Sequence, residues 1–167
     1  MENLIISNLE VLIRLILALS LGGILGLERT IAQKSAGVRT YALVSMGGAL
    51  FVIISQLVTL EYLTAGVGQF DPLRMAAQVI MGIGFIGAGL IIFKDTYLAG
   101  LTTAAGLWVA VGIGMASGFG LYVVAAMAAI LAFFVFTVLW FFESRIKKFS
   151  SKNVEEIKSK TEYDFKG

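Results

Sequence analysis

Few side chains in this sequence can do chemistry, and those that can are arginines, carboxylates and one amide. Glu10 and Arg14 stand four residues apart, a spacing that brings opposite charges together on one helix face. Glu28 and Arg29 are adjacent, Arg39 follows, and Arg74 precedes Gln78 by one helical turn. Thr102 and Thr103 form the other polar pair. Such groups suit ion pairing, anion contact or the fixing of a bundle interior. They do not suit acid–base or nucleophilic work, because the chain has no histidine and no cysteine. That removes the commonest general base and transition-metal ligand, together with disulfides and thiolates. A bound metal would take oxygen ligands, as Mg²⁺ and Ca²⁺ do. No carboxylates cluster in sequence as a dedicated cage would, so the metal question stays open. Gly82-Ile83-Gly84-Phe85-Ile86-Gly87 has the letters of a dinucleotide fingerprint but lies inside an apolar run, without the strand and later acidic residue that motif needs. Neither enzymatic activity nor a cofactor is expected.

These polar groups are set among five long apolar runs. A hydrocarbon core about 30 Å thick needs about 20 apolar helical residues to cross it. The spans read as Val11–Leu27, Thr40–Leu60, Met75–Phe93, Leu98–Ala116 and Leu121–Phe142. Hydrophobic residues make up 58% of the chain and the mean hydropathy is +0.90, too apolar for a water-soluble protein of 167 residues. The runs are too long for barrel strands and do not alternate, and backbone in lipid must satisfy itself. An all-α, multi-pass protein of five transmembrane helices is therefore predicted. Residues 1–145 form its membrane domain and 146–167 a short polar cytoplasmic tail. Met1-Glu2-Asn3 lacks a basic region, so the first span is kept as structure rather than a removed signal.

Orientation follows from the connections. The first holds Arg29, Lys34 and Arg39, the third Lys94 beside a solvated Asp95, and Arg145, Lys147, Lys148 and Lys152 follow the last span. The second carries Glu61 and Asp71, and the fourth, Ser117–Gly120, has no charge. Positive connections stay in the cytoplasm, so the N-terminus is expected outside and the C-terminus inside. Trp140, Phe141 and Phe142 fit an aromatic belt at the inner interface. Asp71-Pro72 reads as a helix start, an N-cap carboxylate before a proline.

Small residues recur every four positions: Gly106, Ala110, Gly114 and Gly118 on the fourth span, Ala18, Gly22 and Gly26 on the first, Gly84 and Ala88 on the third. Such ridges let helix backbones approach closely in lipid. Packing within one bundle is the first reading, a homodimer interface the second. Gly26-Leu27 with Ala36–Thr40 resembles Gly89-Leu90 with Ala99–Thr103, which suggests a parallel duplication of spans 1–2 and 3–4. Chance similarity in so restricted a composition is the alternative.

Each polar group also has a structural explanation. Pairing or snorkelling accounts for Glu10 and Arg14. Glu28 ends a helix, where the dipole disfavours a carboxylate, so a compensating partner is expected and Arg39 is a candidate; Arg39 as a simple positive anchor is the other reading. Arg74 and Gln78 are the leading intramembrane site, since ionisable groups within spans usually face the bundle; snorkelling of Arg74 to headgroups is the rival. Thr102 and Thr103 read as helix caps.

Taken in order, Gly22–Arg29, Ala36–Leu50, Arg74–Gly89 and Gly100–Trp108 resemble the MgtC/SapB family of bacterial inner-membrane proteins across most of the membrane portion. The resemblance implies a five-span module linked to growth at limiting Mg²⁺ and, in pathogens, to survival in host cells. It implies a regulator that contacts other integral membrane proteins, the F-type ATP synthase among them. It singles out Glu28, Arg29, Arg39, Arg74, Gln78 and Thr103, with Gly22, Gly26, Gly37, Gly84, Gly87 and Gly89 as packing positions. Many members continue into a soluble domain, so this chain is either a short form or a shortened one. The leading expectation is a non-enzymatic regulator without a nucleic-acid partner. A transporter or channel for Mg²⁺ or another small ion is the alternative, and lipid binding by Arg145, Lys147 and Lys148 is a third reading.

Overall fold

The computed structural model describes residues 7–66, 71, 73–94, 97–142 and 145. Pro72, Asp95, Lys147, Lys148 and Lys152, on which some expectations rest, lie outside the described residues. The chain divides into two compact units, 1–132 and 133–167.

The first unit is built on helices α1 (Asn8–Ile31), α2 (Val38–Thr64), α3 (Leu73–Leu90), α4 (Leu101–Gly118) and the start of α5 (Tyr122–Phe134). Ser7 caps α1 by accepting from the Glu10 N–H at 3.2 Å. Glu10 in the first turn and Arg29 in the last both suit the helix dipole. The turn into α2 is fastened from α1: Thr30 Oγ1 donates to the Gly26 carbonyl and accepts from the Val38 N–H, at 3.0 and 3.1 Å. The Asp71 carboxylate accepts from the Leu73 N–H at 2.9 Å, so the expected N-cap starts α3 and Arg74 lies in its first turn.

Five helices are long and apolar enough to cross a membrane: Asn8–Ile31, Val38–Thr64, Leu73–Leu90, Leu101–Gly118 and Tyr122–Phe142. They match the five expected spans, with two boundaries corrected. The third was expected to reach Phe93 and the fourth to begin at Leu98. Instead Ile92–Lys94 (β1) and Tyr97–Ala99 (β2) pair antiparallel, with Phe93 opposite Leu98. Gly100, at φ +92°, then turns the chain into α4. Hydropathy cannot separate three extended residues from one more helical turn. A two-stranded ribbon has open edges, which hydrocarbon does not tolerate, so this connection belongs at the headgroup region.

Helix α4 is the centre of the unit. Of its most apolar 18-residue window 61% is buried, against 11% for α3. Leu25, Tyr41, Val52, Ile53, Leu107 and Ile113 are the large side chains packed inside. The outward faces are apolar, with Phe85 and Phe93 the most exposed at 85% and 80%, as a lipid-facing surface requires.

In the second unit the fifth span passes through a π-helical turn, Val135–Leu139, where Thr137 Oγ1 donates to the Phe133 carbonyl at 2.6 Å. Trp140, Phe141 and Phe142 are exposed, and the Arg145 guanidinium lies 5.0 Å from the Phe141 ring centroid. Aromatics beside a cation fit a membrane-interface girdle.

Candidate functional site

The interior arginines and their partners fall into two clusters at opposite ends of the α1–α2–α4 core. The first is organised by Arg14, two turns inside α1 and 92% buried, at 8% exposure. Its Nη1 donates to Gln56 Oε1 of α2 at 2.9 Å and to the Gly118 carbonyl of α4 at 2.7 Å. Its Nη2 pairs with Glu10. The Gly118 carbonyl belongs to the last turn of α4, where acceptors have no intrahelical partner and carry the negative end of the dipole. One guanidinium thus neutralises a carboxylate, caps α4 and crosslinks three helices. Only its Nε, among buried side-chain polar atoms of the described residues, lacks a hydrogen bond. The Glu10–Arg14 pair expected from spacing is present, but Arg14 turns into the bundle rather than snorkelling. Gln56 was not anticipated as a site residue. The signal was a lone amide in the run Val52–Leu60.

The second cluster lies about 22 Å away along α1, at 1.5 Å per residue. Arg29 is buried and pairs with Glu28. Across from them Tyr41, fully buried on α2, donates its hydroxyl to the Thr103 carbonyl of α4 at 3.3 Å. Thr103 is itself buried, and the Glu28–Arg29 pair lies within electrostatic reach of Tyr41. Here the structure corrects the expected partner of Glu28: it is Arg29. Arg39 is exposed in the first turn of α2.

Between the clusters the three helices touch backbone to backbone. A Cβ added at Gly114 would run into the Ser45 carbonyl, and one at Gly48 would come within 2.6 Å of the Val111 carbonyl. At Gly118 it would meet the Ala49 carbonyl at 2.7 Å, and at Gly22 the Tyr41 carbonyl at 2.6 Å. Gly26 sits as close to Gly37 and Val38, and Gly37 abuts Thr30. Gly106 is buried on the same ridge of α4. Ser45, fully buried, donates to the Ala18 carbonyl at 2.7 Å, joining α2 to α1. The ridges on the first and fourth spans are used within the bundle.

Helix α3 behaves differently. It presses Ala76, Ile83 and Gly87 inward, with Gly87 facing Ala104. Gly84 and Gly89 have nothing within 4 Å of an added Cβ, and Ala88 is exposed. The expected Gly84–Ala88 ridge therefore points away from the core. Arg74 and Gln78 are exposed as well, so the interior position foreseen for this pair belongs instead to Arg14 and Gln56. The described residues contain no group of three or more carboxylates able to hold a metal.

Five apolar helices, with interior charges spent on one another, define a multi-pass helical membrane protein. The chain belongs to the MgtC family, whose profile matches residues 15–145. It is 48% identical over 96 residues to the Escherichia coli K12 protein named "Putative magnesium transporter YhiD", covering 58% of this chain and 45% of that one. It is 44% identical over 88 residues to "Protein MgtC" of Brucella abortus 2308, covering 53% of this chain and 34% of that one. An uncharacterized protein of Haemophilus influenzae is 40% identical over 101 residues, 59% of this chain and 42% of that protein. The chain thus spans less than half the length of these relatives. No solved structure matches it.

Proposed function

We propose that this is a non-enzymatic regulatory protein of the bacterial inner membrane, tied to Mg²⁺ limitation, that acts through contacts with other membrane proteins. The magnesium link rests on family membership and on the names its relatives carry. The observation that carries the regulatory reading is the closed seam: α2 and α4 meet through Gly48, Gly114 and Gly118 with no space for a Cβ, still less a hydrated ion. The guanidinium groups of Arg14 and Arg29 stand at its two ends, where they disfavour a divalent cation. In this reading the N-terminus is outside and the C-terminus cytoplasmic. The open small-residue side of α3, with Gly84 and Ala88, is the face left for a neighbouring helix, whether from the F-type ATP synthase, another integral protein or a second copy.

Gly84 supplies the test, because an added Cβ there meets nothing within 4 Å and replacing glycine with leucine improves helix propensity by about 0.8 kcal/mol. In a bacterium lacking its own family member, Gly84→Leu should insert and fold normally yet lose most of the growth that the wild-type chain restores at limiting Mg²⁺. Full restoration by this variant would remove α3 from the contact surface. A transporter remains the second reading, favoured by the name of the Escherichia coli relative.

A further inference from the structure

Beside the closed seam, α2 and α3 diverge around a groove of about 550 Å³. Leu43, Gly47 and Phe51 line it from α2, and Met75, Gly82 and Ile86 from α3. It exists because Gly47 and Gly82 put no side chain where the helices part; an added Cβ would meet nothing within 4 Å at either. Gln78 is the one polar side chain among the described residues that line it. From Met75 to Ile86 it runs about 16 Å along the helix axis, hence across the leaflet rather than along the membrane surface.

The lining is apolar apart from Gln78, which suits extended hydrocarbon. The polar end selects the headgroup. Arg74 precedes Gln78 by one turn on the same face of α3. It is exposed and has no ion-pair partner among the described residues. A guanidinium at the membrane end of α3 is matched to a phosphate, which it can bind in bidentate fashion. The Gln78 amide, about 6 Å deeper, is matched to an ester carbonyl at the depth of the glycerol backbone.

We propose that the chain binds one anionic phospholipid, with an acyl chain in the α2–α3 groove, the phosphate on Arg74 and an ester carbonyl accepting from Gln78. The inference goes beyond the regulatory reading and stands whether or not that reading does.

The test reconstitutes the full chain in phosphatidylcholine vesicles carrying a trace of spin-labelled phosphatidylglycerol or spin-labelled phosphatidylcholine, and measures the motionally restricted lipid per protein. Wild type should select phosphatidylglycerol by about five-fold, the scale of one basic contact at an anionic headgroup. Arg74→Gln should abolish the selectivity while the protein stays folded, since Arg74 is exposed. Gly82→Phe, whose ring would occupy the groove from a position where an added Cβ meets nothing within 4 Å, should remove the restricted site for both lipids. An unchanged preference in Arg74→Gln would overturn the headgroup assignment. An unchanged restricted population in Gly82→Phe would overturn the groove. Gly82→Cys gives the chain its one cysteine; its quantitative disulfide crosslinking to a second copy would assign the groove to that copy instead.

Discussion

Replacing Gly114 with leucine should lower the thermal midpoint of the purified protein by about 6–12 °C, the shift expected for a loss of about 3 kcal/mol in a chain of this size. The reason is geometric. The first atom of any side chain at Gly114 collides with the Ser45 carbonyl, and a backbone atom held within α2 cannot rotate away as a side chain could. Helices α2 and α4 must separate, which also loosens Gly48 from Val111 and Gly118 from Ala49. No hydrophobic effect in lipid holds them together once close packing is lost. Gly112 is the internal control. It lies two residues away on the same helix, is exposed, and has nothing within 4 Å of an added Cβ. Gly112→Leu should leave the midpoint unchanged or slightly higher. Equal losses at the two positions would show that α4 dislikes bulk in general, and the seam as described would not exist.

The second large effect is at Arg14. Arg14→Met should cost about 2–4 kcal/mol, because it removes three charge-assisted bonds and strands Gln56 and the Gly118 carbonyl inside the bundle. Arg14→Lys should recover less than half of this, since a compact ammonium cannot replace the planar fork that reaches Gln56, Gly118 and Glu10 together. Glu10→Gln should cost under about 1 kcal/mol, because the Glu10 side chain is 42% exposed and water replaces part of the pair. The expected order is therefore Met worst, then Lys, then the Glu10 change, read from thermal unfolding of each variant in one detergent. An Arg14→Met protein as stable as wild type would mean that the guanidinium contributes nothing to holding the three helices.

The five spans were legible because their signal is summed over about 20 residues each, which no local detail overrides. The Asp71 cap and the α4 glycine ridge were legible for a similar reason, since both are patterns of residue type at fixed spacing. The hairpin between α3 and α4 was hidden because Ile91, Ile92 and Phe93 are as apolar as the helix they follow. The direction each helix face points was hidden too. Arg14 and Arg74 look alike in sequence, each near the end of a span and one turn from a polar partner. Only packing decides that the first meets Gln56 and the end of α4, while the second faces outward. Gln56 was passed over because an amide within an apolar run announces neither a charge nor a spacing, and its partner lies 42 residues away in the chain. Likewise Arg29 displaced Arg39 as the partner of Glu28 because a neighbouring side chain folded back, a contact no helical spacing rule describes.

The closed seam is the centre of the functional account, and ion flux tests it most directly. Purified chain in proteoliposomes, with folding verified, should pass no more Mg²⁺, chloride or phosphate than empty liposomes do. Saturable Mg²⁺ flux that falls in Arg74→Ala, a change at an exposed residue that leaves the core intact, would contradict the account and make the protein a transporter.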